Sequence, residues 1–348
     1  MSGSLHSLAR AIETGDVAEL PSRHDEDWRW TDLAGLIRQL PQPSAEIEGD
    51  LGKGPFDDLV GHTVRIPNGR LSSVIAMTGA DSCLAVRVVG RGAGAHASHP
   101  KLHVDGPFTL LESYEGEGAY VSETRLRLDI RSGGDLRRIV LCDEPADAVS
   151  VIGADVTLAP GARFSQTVIA AGARRQRIET HLAHGGGGAA ARLDGVYLLA
   201  ERRHADITTV VSHSEPGGFT DQLTKGVVRD QARGVFQGRI VVAQGADQSN
   251  ANMGHHALIL SERAEVDAKP ELEIFADDVA CAHGNTVGAL DEEALFYAGQ
   301  RGIPETEARA ILTEAFVGEV VDRIEHDGAR EVVRAWVAAR LRSAAADV

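Results

Sequence analysis

The spacing of apolar residues divides the chain into three regions. Residues 1–61 open with Leu5, Leu8 and Ile12 at helical spacing and continue as a polar, acidic segment. Residues 62–287 contain short apolar runs separated by polar or glycine-rich turns, which is typical of β-strands. Residues 288–348 return to helical spacing. The pattern therefore predicts a mainly β protein, with a β core and a helical region at each end.

The β core is predicted from its individual runs. The apolar runs cover residues 84–89, 149–152, 164–170, 193–200, 207–211, 235–242, 257–260 and 272–275. Several alternate apolar and polar residues, as Arg192–Leu199 does, so that one face of the strand is buried. No amphipathic helical window lies between the runs, which argues against βαβ units. The pattern leaves a sandwich, a barrel and a β-solenoid open.

The C-terminal region carries clear helix boundaries. Asp291 is a predicted N-cap, Gly302 ends the first helix, and Pro304 begins the next at its first position. One face of this second helix is predicted to hold Ile311, Leu312, Ala315, Phe316, Val320 and Ile324. A final helix carries Val332, Val333, Trp336, Val337 and Leu341. The region is too small for a core of its own, so it must pack on the β core, on a partner, or on both.

Charge and cysteine content narrow the function classes. The 348 residues include 35 Lys plus Arg against 51 Asp plus Glu, a formal charge of −16. That balance repels phosphate backbones and anionic lipids, so neither nucleic-acid nor membrane binding is expected. We expect no signal peptide and no membrane span. Cys83, Cys142 and Cys281 are far apart, which argues against a disulfide framework and for the cytoplasm.

Cys281 and His283 form the most informative chemical pair. They stand two residues apart, so in an extended strand the thiol and the imidazole point to the same side. Both are metal ligands, but two donors do not complete a tetrahedral zinc site or an iron–sulfur cluster. The missing ligands would come from distant residues or from another chain. The structural alternative is a buried small Cys281 and a hydrogen-bonded His283 in a turn.

Other motifs have structural interpretations. The segment just before Cys281 and His283 is rich in acidic residues, namely Glu265, Asp267, Glu271, Glu273, Asp277 and Asp278. Glu271 and Glu273 would share one strand face, which fits either the paired carboxylates of a glycosidase or lyase or a solvated strand edge.

The glycine pattern from Gly90 to Ala95 resembles a dinucleotide fingerprint, but Pro100 prevents the helix that this fingerprint requires. The remaining histidines are interpreted mostly as exposed loop residues, with metal uptake by a pair of them as the alternative: His96, His99, His103, His181, His184, His255 and His256.

Several motifs together resemble the SufB/SufD family. The resembling segments are Ala264–Ile274, Ala276–Asp278, Cys281–Gly284, Thr286–Gly288, Asp291–Tyr297 and Arg301–Ile303, with Asp25–Thr31 near the N-terminus. The resemblance is specific over residues 258–317 and loose in the middle of the chain. Within the family the chain is most similar to SufD. The reasons are the motif from Cys281 to Gly288, followed by Asp291–Tyr297, and the absence of the cysteine-rich N-terminal element of many SufB proteins.

The resemblance implies a fold and a set of partners. It implies a right-handed parallel β-helix and a non-catalytic subunit of a cytosolic iron–sulfur assembly scaffold. Such a subunit pairs with SufB, and each of the two binds one SufC, an ABC-type ATPase; pairing as a homodimer in isolation stays open. A transient iron–sulfur cluster would be shared with the partner. No cofactor is expected to be tightly bound in the isolated chain, and flavin binding is undecided.

The resemblance also implies the site residues. His283 is the first candidate for nascent cluster formation and Cys281 the second, near the SufB interface. The helices from Asp291 to about Ile324 would contact SufC. The residues implied there are Asp291, Glu292, Leu295, Phe296, Tyr297, Arg301, Ile303, Pro304, Ile311 and Phe316.

Two other functions stay open from the sequence. The first is a β-helix lyase or hydrolase acting on carbohydrate through Glu271, Glu273 and Asp277. The second is a purely structural scaffold subunit that holds its partners together and donates no ligand.

Overall fold

Two parallel sheets form the body of the molecule. The computed structural model describes residues 6–71 and 82–346, with side chains as far as residue 342; Leu5, predicted to lie in the first helix, is outside these ranges. One sheet has nine strands. The other has eight, seven on its main path and β4 pairing with β6 beside it, and neighbouring strands pair in parallel throughout.

The strands follow each other in short succession. They are β1 (Thr63–Pro67), β2 (Ser82–Arg91), β3 (Ala95–Ser98), β4 (Lys101–Val104), β5 (Pro107–Glu117), β6 (Val121–Ile130), β7 (Asp135–Asp143), β8 (Val149–Leu158), β9 (Arg163–Ala170), β10 (Arg175–His184), β11 (Ala190–Leu199), β12 (His204–His213), β13 (Phe219–Val228), β14 (Arg233–Val242), β15 (Asn250–Ile259), β16 (Glu265–Ile274) and β17 (Ala280–Gly288). The strand β3 follows Gly92 where a dinucleotide fingerprint would need a helix, so that motif is absent here.

The helices lie at the two ends of the chain. They are α1 (Leu8–Thr14), α2 (Leu33–Leu36), α3 (Glu292–Gln300), α4 (Glu305–Val321) and α5 (Asp327–Ala346), with short 3-10 helices at Val17–Glu19, Glu26–Trp28 and Asp57–Leu59. Among the described helices, none is long and apolar enough to cross a membrane.

The chain winds as a parallel β-helix. From β5 onward, successive strands alternate between the two sheets, and from β6 onward each strand pairs with the strand two positions earlier. The order β5-β7-β9-β11-β13-β15-β17 faces the order β6-β8-β10-β12-β14-β16 across a shared core. This confirms the β-helix implied by the family resemblance and excludes the sandwich and the barrel.

Inward-facing residues stack in columns along the β-helix. Phe108, Leu136, Phe164 and Ala191 occupy successive positions of one column in the nine-stranded sheet, and all are buried. A neighbouring column of the same sheet carries Arg138. The interior therefore combines apolar columns with polar groups that pair inside it.

The N-terminal region packs on the outer face of the eight-stranded sheet. Ser7 caps α1, its hydroxyl accepting the N–H of Arg10 at 3.1 Å. The ring of Trp28 lies 4.3 Å from the guanidinium carbon of Arg177, and the Thr31 hydroxyl donates to Asp206 at 2.5 Å. The Asp25–Thr31 segment, noted for its family resemblance, is therefore bound to β10 and β12.

The C-terminal helices α4 and α5 pack on the outer face of the nine-stranded sheet. Their buried residues Val317, Val333 and Val337 join one cluster with Leu111 and Ile139 of the sheet. This confirms that the tail has no core of its own and packs on the β core.

The prediction for α4 was wrong in three details. Pro304 is the N-cap and the helix begins at Glu305, one residue later than predicted. Ile324 lies beyond the end of α4, although it is buried. The sheet-facing side carries Thr313 and Val317, whereas Ile311 is 48% exposed. Apolar residues occupy more than one side of α4, so periodicity alone could not select the buried side.

Most of the histidines interpreted as loop residues are in strands, and several are buried. His96, His184 and His255 belong to β3, β10 and β15 and face the interior. Hydrogen bonds to Ser44, to the Phe219 carbonyl and to Tyr197, respectively, offset the cost of burying these rings. His213 on β12 stacks on His184 with ring centroids 4.4 Å apart, and its pKa is lowered to about 4 by burial and then by His184.

Because burial lowers the pKa of these histidines, we expect the protein to be less stable in mild acid. An unfolded histidine titrates near pH 6.5, so between pH 6.5 and 4 the unfolded chain binds more protons than the folded one. The free energy of unfolding should therefore fall as the pH falls, with His213 contributing about 1–2 kcal/mol between pH 7 and 5. His213→Leu, which matches Leu158 in its column, should weaken this dependence in urea unfolding. An unchanged slope would contradict the assignment.

Candidate functional site

The C-terminal end of the β-helix is uncovered in the described structure. β16 and β17 are the last strands of their sheets, and each pairs on one side only. Their residues are mostly half-buried or exposed, whereas most positions of β11 to β14 are buried. The end therefore presents two open strand edges and the last layer of interior side chains.

At the opposite end, the edge of β3 in the eight-stranded sheet is covered by the chain itself. Pro43 bridges to Ala95 of β3, the Ser44 N–H donates to the Ala95 carbonyl at 2.9 Å, and the Ala95 N–H donates to Gln42 at 2.8 Å. The contrast matters because an uncovered strand edge is a template for pairing with another chain.

Exposed apolar side chains accompany the open edges. Ile274, Phe275 and Val287 are 41%, 63% and 44% exposed, and inward-facing Val266 and Leu272 of β16 are only partly buried. Apolar surface beside an unpaired strand edge is typical of a protein–protein interface. We call the end formed by β16 and β17 the open end.

Cys281 and His283 lie together on β17 at the open end. In the register with β15, Cys281 is opposite Ala251 and His283 is opposite Met253. Both side chains are on the same strand face, as the spacing predicts. Cys281 is half-buried against the core, and His283 is exposed.

The Cys281 thiol is not activated by its surroundings. Burial raises its pKa, although a hydrogen bond with the backbone of Ala251 acts in the opposite direction. A metal would have to displace the thiol proton to bind there. In the described part of the chain, no group of three or more His, Cys, Asp or Glu side chains could hold a metal ion. A metal held by Cys281 and His283 would therefore need further ligands from outside the described residues.

A hydrogen-bonded layer lies directly beneath the open end. His255 on β15 stacks on Phe236 with centroids 4.7 Å apart, and burial lowers its pKa to about 4. Its ring nitrogens lie 2.9 Å from the Tyr197 hydroxyl and 2.7 Å from Asn285 Oδ1. Asn285 shares the strand face of His283. Sequence reasoning missed this layer; the period-two spacing of 281, 283 and 285 was the available signal.

Four of the six acidic residues before the pair, Glu265, Asp267, Glu271 and Glu273, are engaged in ion pairs. Arg239 Nε lies 3.2 Å from Glu271 and 3.5 Å from Glu273, and Lys269 Nζ lies 3.2 Å from Glu271. Cations hold both carboxylates on the outer face of β16. This favours the structural interpretation over paired catalytic acids.

The helices α3 and α4 present a second exposed surface. No residue of α3 is buried; Phe296 and Tyr297 are 70% and 60% exposed, and Ile311 of α4 is also exposed. The Asp291 carboxylate caps α3, accepting the N–H groups of Glu293 and Ala294 at 2.8 and 3.3 Å. This is the N-cap predicted from the sequence. We call the surface formed by Phe296, Tyr297 and Ile311 the tail patch.

The other residues implied for partner contact have varied positions. Phe316 is partly buried against the β core, with Lys225 Nζ 4.4 Å from its ring centroid, so it faces away from the tail patch. Arg301 donates to the Tyr297 hydroxyl at 2.7 Å. Leu295 and Ile303 are half-buried, and Asp291, Glu292, Arg301 and Pro304 are exposed.

Comparison with known proteins bears on the same regions. Residues 101–316 match the family model of the SUF system FeS cluster assembly, SufBD core domain. The chain is 30% identical over 258 residues to the iron–sulfur cluster assembly protein SufD of Escherichia coli, covering 72% of this chain and 60% of that protein.

Two further relatives extend the comparison. An iron–sulfur cluster assembly SufBD family protein of Mycobacterium leprae is 26% identical over 357 residues, covering 91% of this chain and 89% of that protein. The SufD of Bacillus subtilis is 34% identical over 126 residues, covering 36% of this chain and 29% of that protein. The match to the two SufD proteins thus spans less than two thirds of their length. The family model covers more than half of this chain and includes β17, α3 and most of α4, so the chain belongs to the SufB/SufD family of iron–sulfur cluster assembly proteins and is SufD-like.

Proposed function

We propose that this chain is a non-catalytic, SufD-like scaffold subunit that supports nascent iron–sulfur cluster assembly at an interface with a SufB-like paralogue. The observation that carries the proposal is the position of Cys281 and His283 on a terminal strand at the uncovered end of the β-helix. A partner strand added to this end would face both side chains.

A subunit interface would complete the ligand set of which Cys281 and His283 are two members. Two donors bind iron weakly, and the paralogue would contribute the remaining ligands. His283 is the better first donor because it is exposed, whereas Cys281 must lose a proton from a thiol whose pKa is raised. Iron or the nascent cluster is the cargo of such a site, and contact with the partner would shield it from solvent.

We assign the tail patch to a SufC-like ABC ATPase. Phe296, Tyr297 and Ile311 place aromatic and apolar surface on helices that lie on the outside of the β-helix. An ATPase bound there could act on the open end through α4, which packs on β11 and β13. We expect this scaffold in the cytoplasm, and in isolation the same open end could pair two copies of the chain.

Replacing His283 by alanine is expected to reduce cluster assembly at least tenfold. The measurement is anaerobic reconstitution of the co-expressed complex with the paralogue and the ATPase, followed by iron and sulfide analysis and absorption spectroscopy. The matched control is His256→Ala on the adjacent strand, since His256 bonds to Thr286 and is not on the face of His283. The complex should keep its size in both variants.

Cys281→Ser tests the second donor in the same assay. If neither His283→Ala nor Cys281→Ser changes the cluster content of an intact complex, the chain is a structural scaffold that donates no ligand, and the ligand proposal is wrong.

The double variant Phe296→Ser/Tyr297→Ser is expected to lose the ATPase while keeping the paralogue. Removing two exposed aromatic side chains should weaken an interface built around them by a factor of ten or more. Co-purification on a tagged paralogue, followed by size-exclusion chromatography, measures both contacts. Phe219→Ser is the control because Phe219 is also exposed, at 45%, but lies on β13. Retention of the ATPase by the double variant would refute the assignment.

A further inference from the structure

A cavity of about 750 Å³ lies between the nine-stranded sheet and the helices α4 and α5. Its size is within the range of small-molecule sites, roughly 300–1,000 Å³. Leu198, Val227 and Leu260 line its sheet side, and Ala310 and Leu341 line its helix side. The cavity is separate from the open end and lies beneath the side of α4 that faces the sheet.

Four arginines surround this apolar lining. They are Arg203, Arg229, Arg309 and Arg340, and the acids lining the same cavity are Glu201, Asp230 and Glu305. The arrangement is unusual for a chain with a formal charge of −16, which on average repels anions.

The arginines are more buried than the carboxylates that pair with them. Arg203 is 15% exposed and its neighbour Glu201 is 70% exposed, and the pairs Arg229–Asp230, Arg309–Glu305 and Arg340–Asp143 show the same order. The guanidinium groups therefore face the cavity wall while the carboxylates are nearer to solvent. Positive charge therefore lies nearer to the cavity than the negative charge that balances it, an order that suits an anionic ligand.

Backbone carbonyls hold Arg203 in place. Its Nη1 donates to the carbonyls of Glu144 and Gly172 at 2.9 and 2.8 Å. Burial lowers its pKa, repulsion from Arg340 adds to this, and the carboxylates of Glu201 and Asp143 act in the opposite direction. Two guanidinium groups close enough to repel each other beside an apolar cavity would be stabilised by an added anion.

We propose that this cavity binds an elongated organic anion, with an apolar body against Leu198, Val227 and Leu260 and a carboxylate head among the arginines. Long-chain carboxylates are the ligand class with this division of polarity. The proposal does not depend on the proposed function, although an occupant would support α4 from beneath. It concerns a site that involves neither Cys281 nor the tail patch.

Isothermal titration of the purified full-length chain with dodecanoate tests the proposal. The cation dodecyltrimethylammonium has the same apolar chain, and acetate has the carboxylate without it. Non-specific binding to a chain of charge −16 would favour the cation. We expect one dodecanoate per chain, at least tenfold weaker binding of the cation, and no detectable binding of acetate.

Variants locate the binding in the cavity. Arg229→Gln and Arg309→Gln should each weaken dodecanoate binding at least fivefold, and Ala310→Trp should abolish it by filling the space. Arg163→Gln is the matched control, because Arg163 lies on the same sheet, is 71% exposed and does not line the cavity. If Ala310→Trp does not fold, as judged by thermal unfolding, the two glutamine variants decide the result. Equal binding of anion and cation, or binding unaffected by the glutamine variants, would overturn the proposal.

Discussion

Replacing Arg138 by alanine is expected to lower the free energy of unfolding by about 3–5 kcal/mol, since it leaves Glu112 charged and unpaired in the interior. The two side chains are fully buried between the sheets and joined by two hydrogen bonds of 2.6 and 2.8 Å. The third guanidinium nitrogen donates to Gln166 at 2.6 Å, and the Tyr114 hydroxyl donates to Glu112 at 2.9 Å. Removing the cation therefore disrupts a network that spans three strands.

Urea unfolding followed by circular dichroism measures this effect. The double variant Arg138→Met/Glu112→Leu removes both charges, and it should recover much of the stability because desolvation of the ions is removed along with their attraction. Arg163→Ala, on the exposed surface, should change stability by less than about 0.5 kcal/mol. A small loss for Arg138→Ala alone would mean that water or another cation reaches Glu112.

Replacing Gly226 by alanine is expected to cost about 3 kcal/mol, at the upper end of overpacking in a well-packed core. A Cβ atom at this position would lie 1.9 Å from Cζ of Tyr197 and 2.2 Å from its hydroxyl oxygen. Tyr197 is fully buried, so its ring cannot move away without disturbing other side chains. The same hydroxyl bonds to His255, which in turn bonds to Asn285 at the open end.

The Gly226→Ala variant should therefore affect the open end as well as stability. Amide hydrogen exchange in β15 and β17 is expected to become faster in this variant. Gly284→Ala is the matched control: Gly284 is also in a strand, but a Cβ there has nothing within 4 Å. Equal effects of the two substitutions would show that strand conformation, rather than contact with Tyr197, determines the loss.

Local patterns predicted the elements that depend on neighbouring residues. The Asp291 cap and the change to helical spacing after Leu290 rest on contacts within a few residues, and the structure has both. The shared face of Cys281 and His283 follows from strand geometry alone. The same approach did not identify the buried side of α4. Apolar residues lie on two sides of this helix with the same spacing, so the spacing does not show which side packs on the sheet.

The interior polar groups could not be predicted from local patterns. His96, His184 and His255 look like surface residues in the sequence because their partners are distant along the chain. Their burial depends on hydrogen bonds to residues brought near by the tertiary fold. The Arg138–Glu112 pair joins residues 26 positions apart for the same reason.

The sequence by itself determined that this protein has a β core between two helical regions, a thiol and an imidazole on one strand face, and the motifs of its family. Alternating apolar residues specify a strand but not its neighbour, because any sheet satisfies the same period of two. Only the tertiary structure decided that each strand from β6 onward pairs with the one two positions earlier, which leaves the strand edges of β16 and β17 uncovered. It also decided which arginines meet at the cavity beneath α4, since that depends on how the tail packs against distant strands.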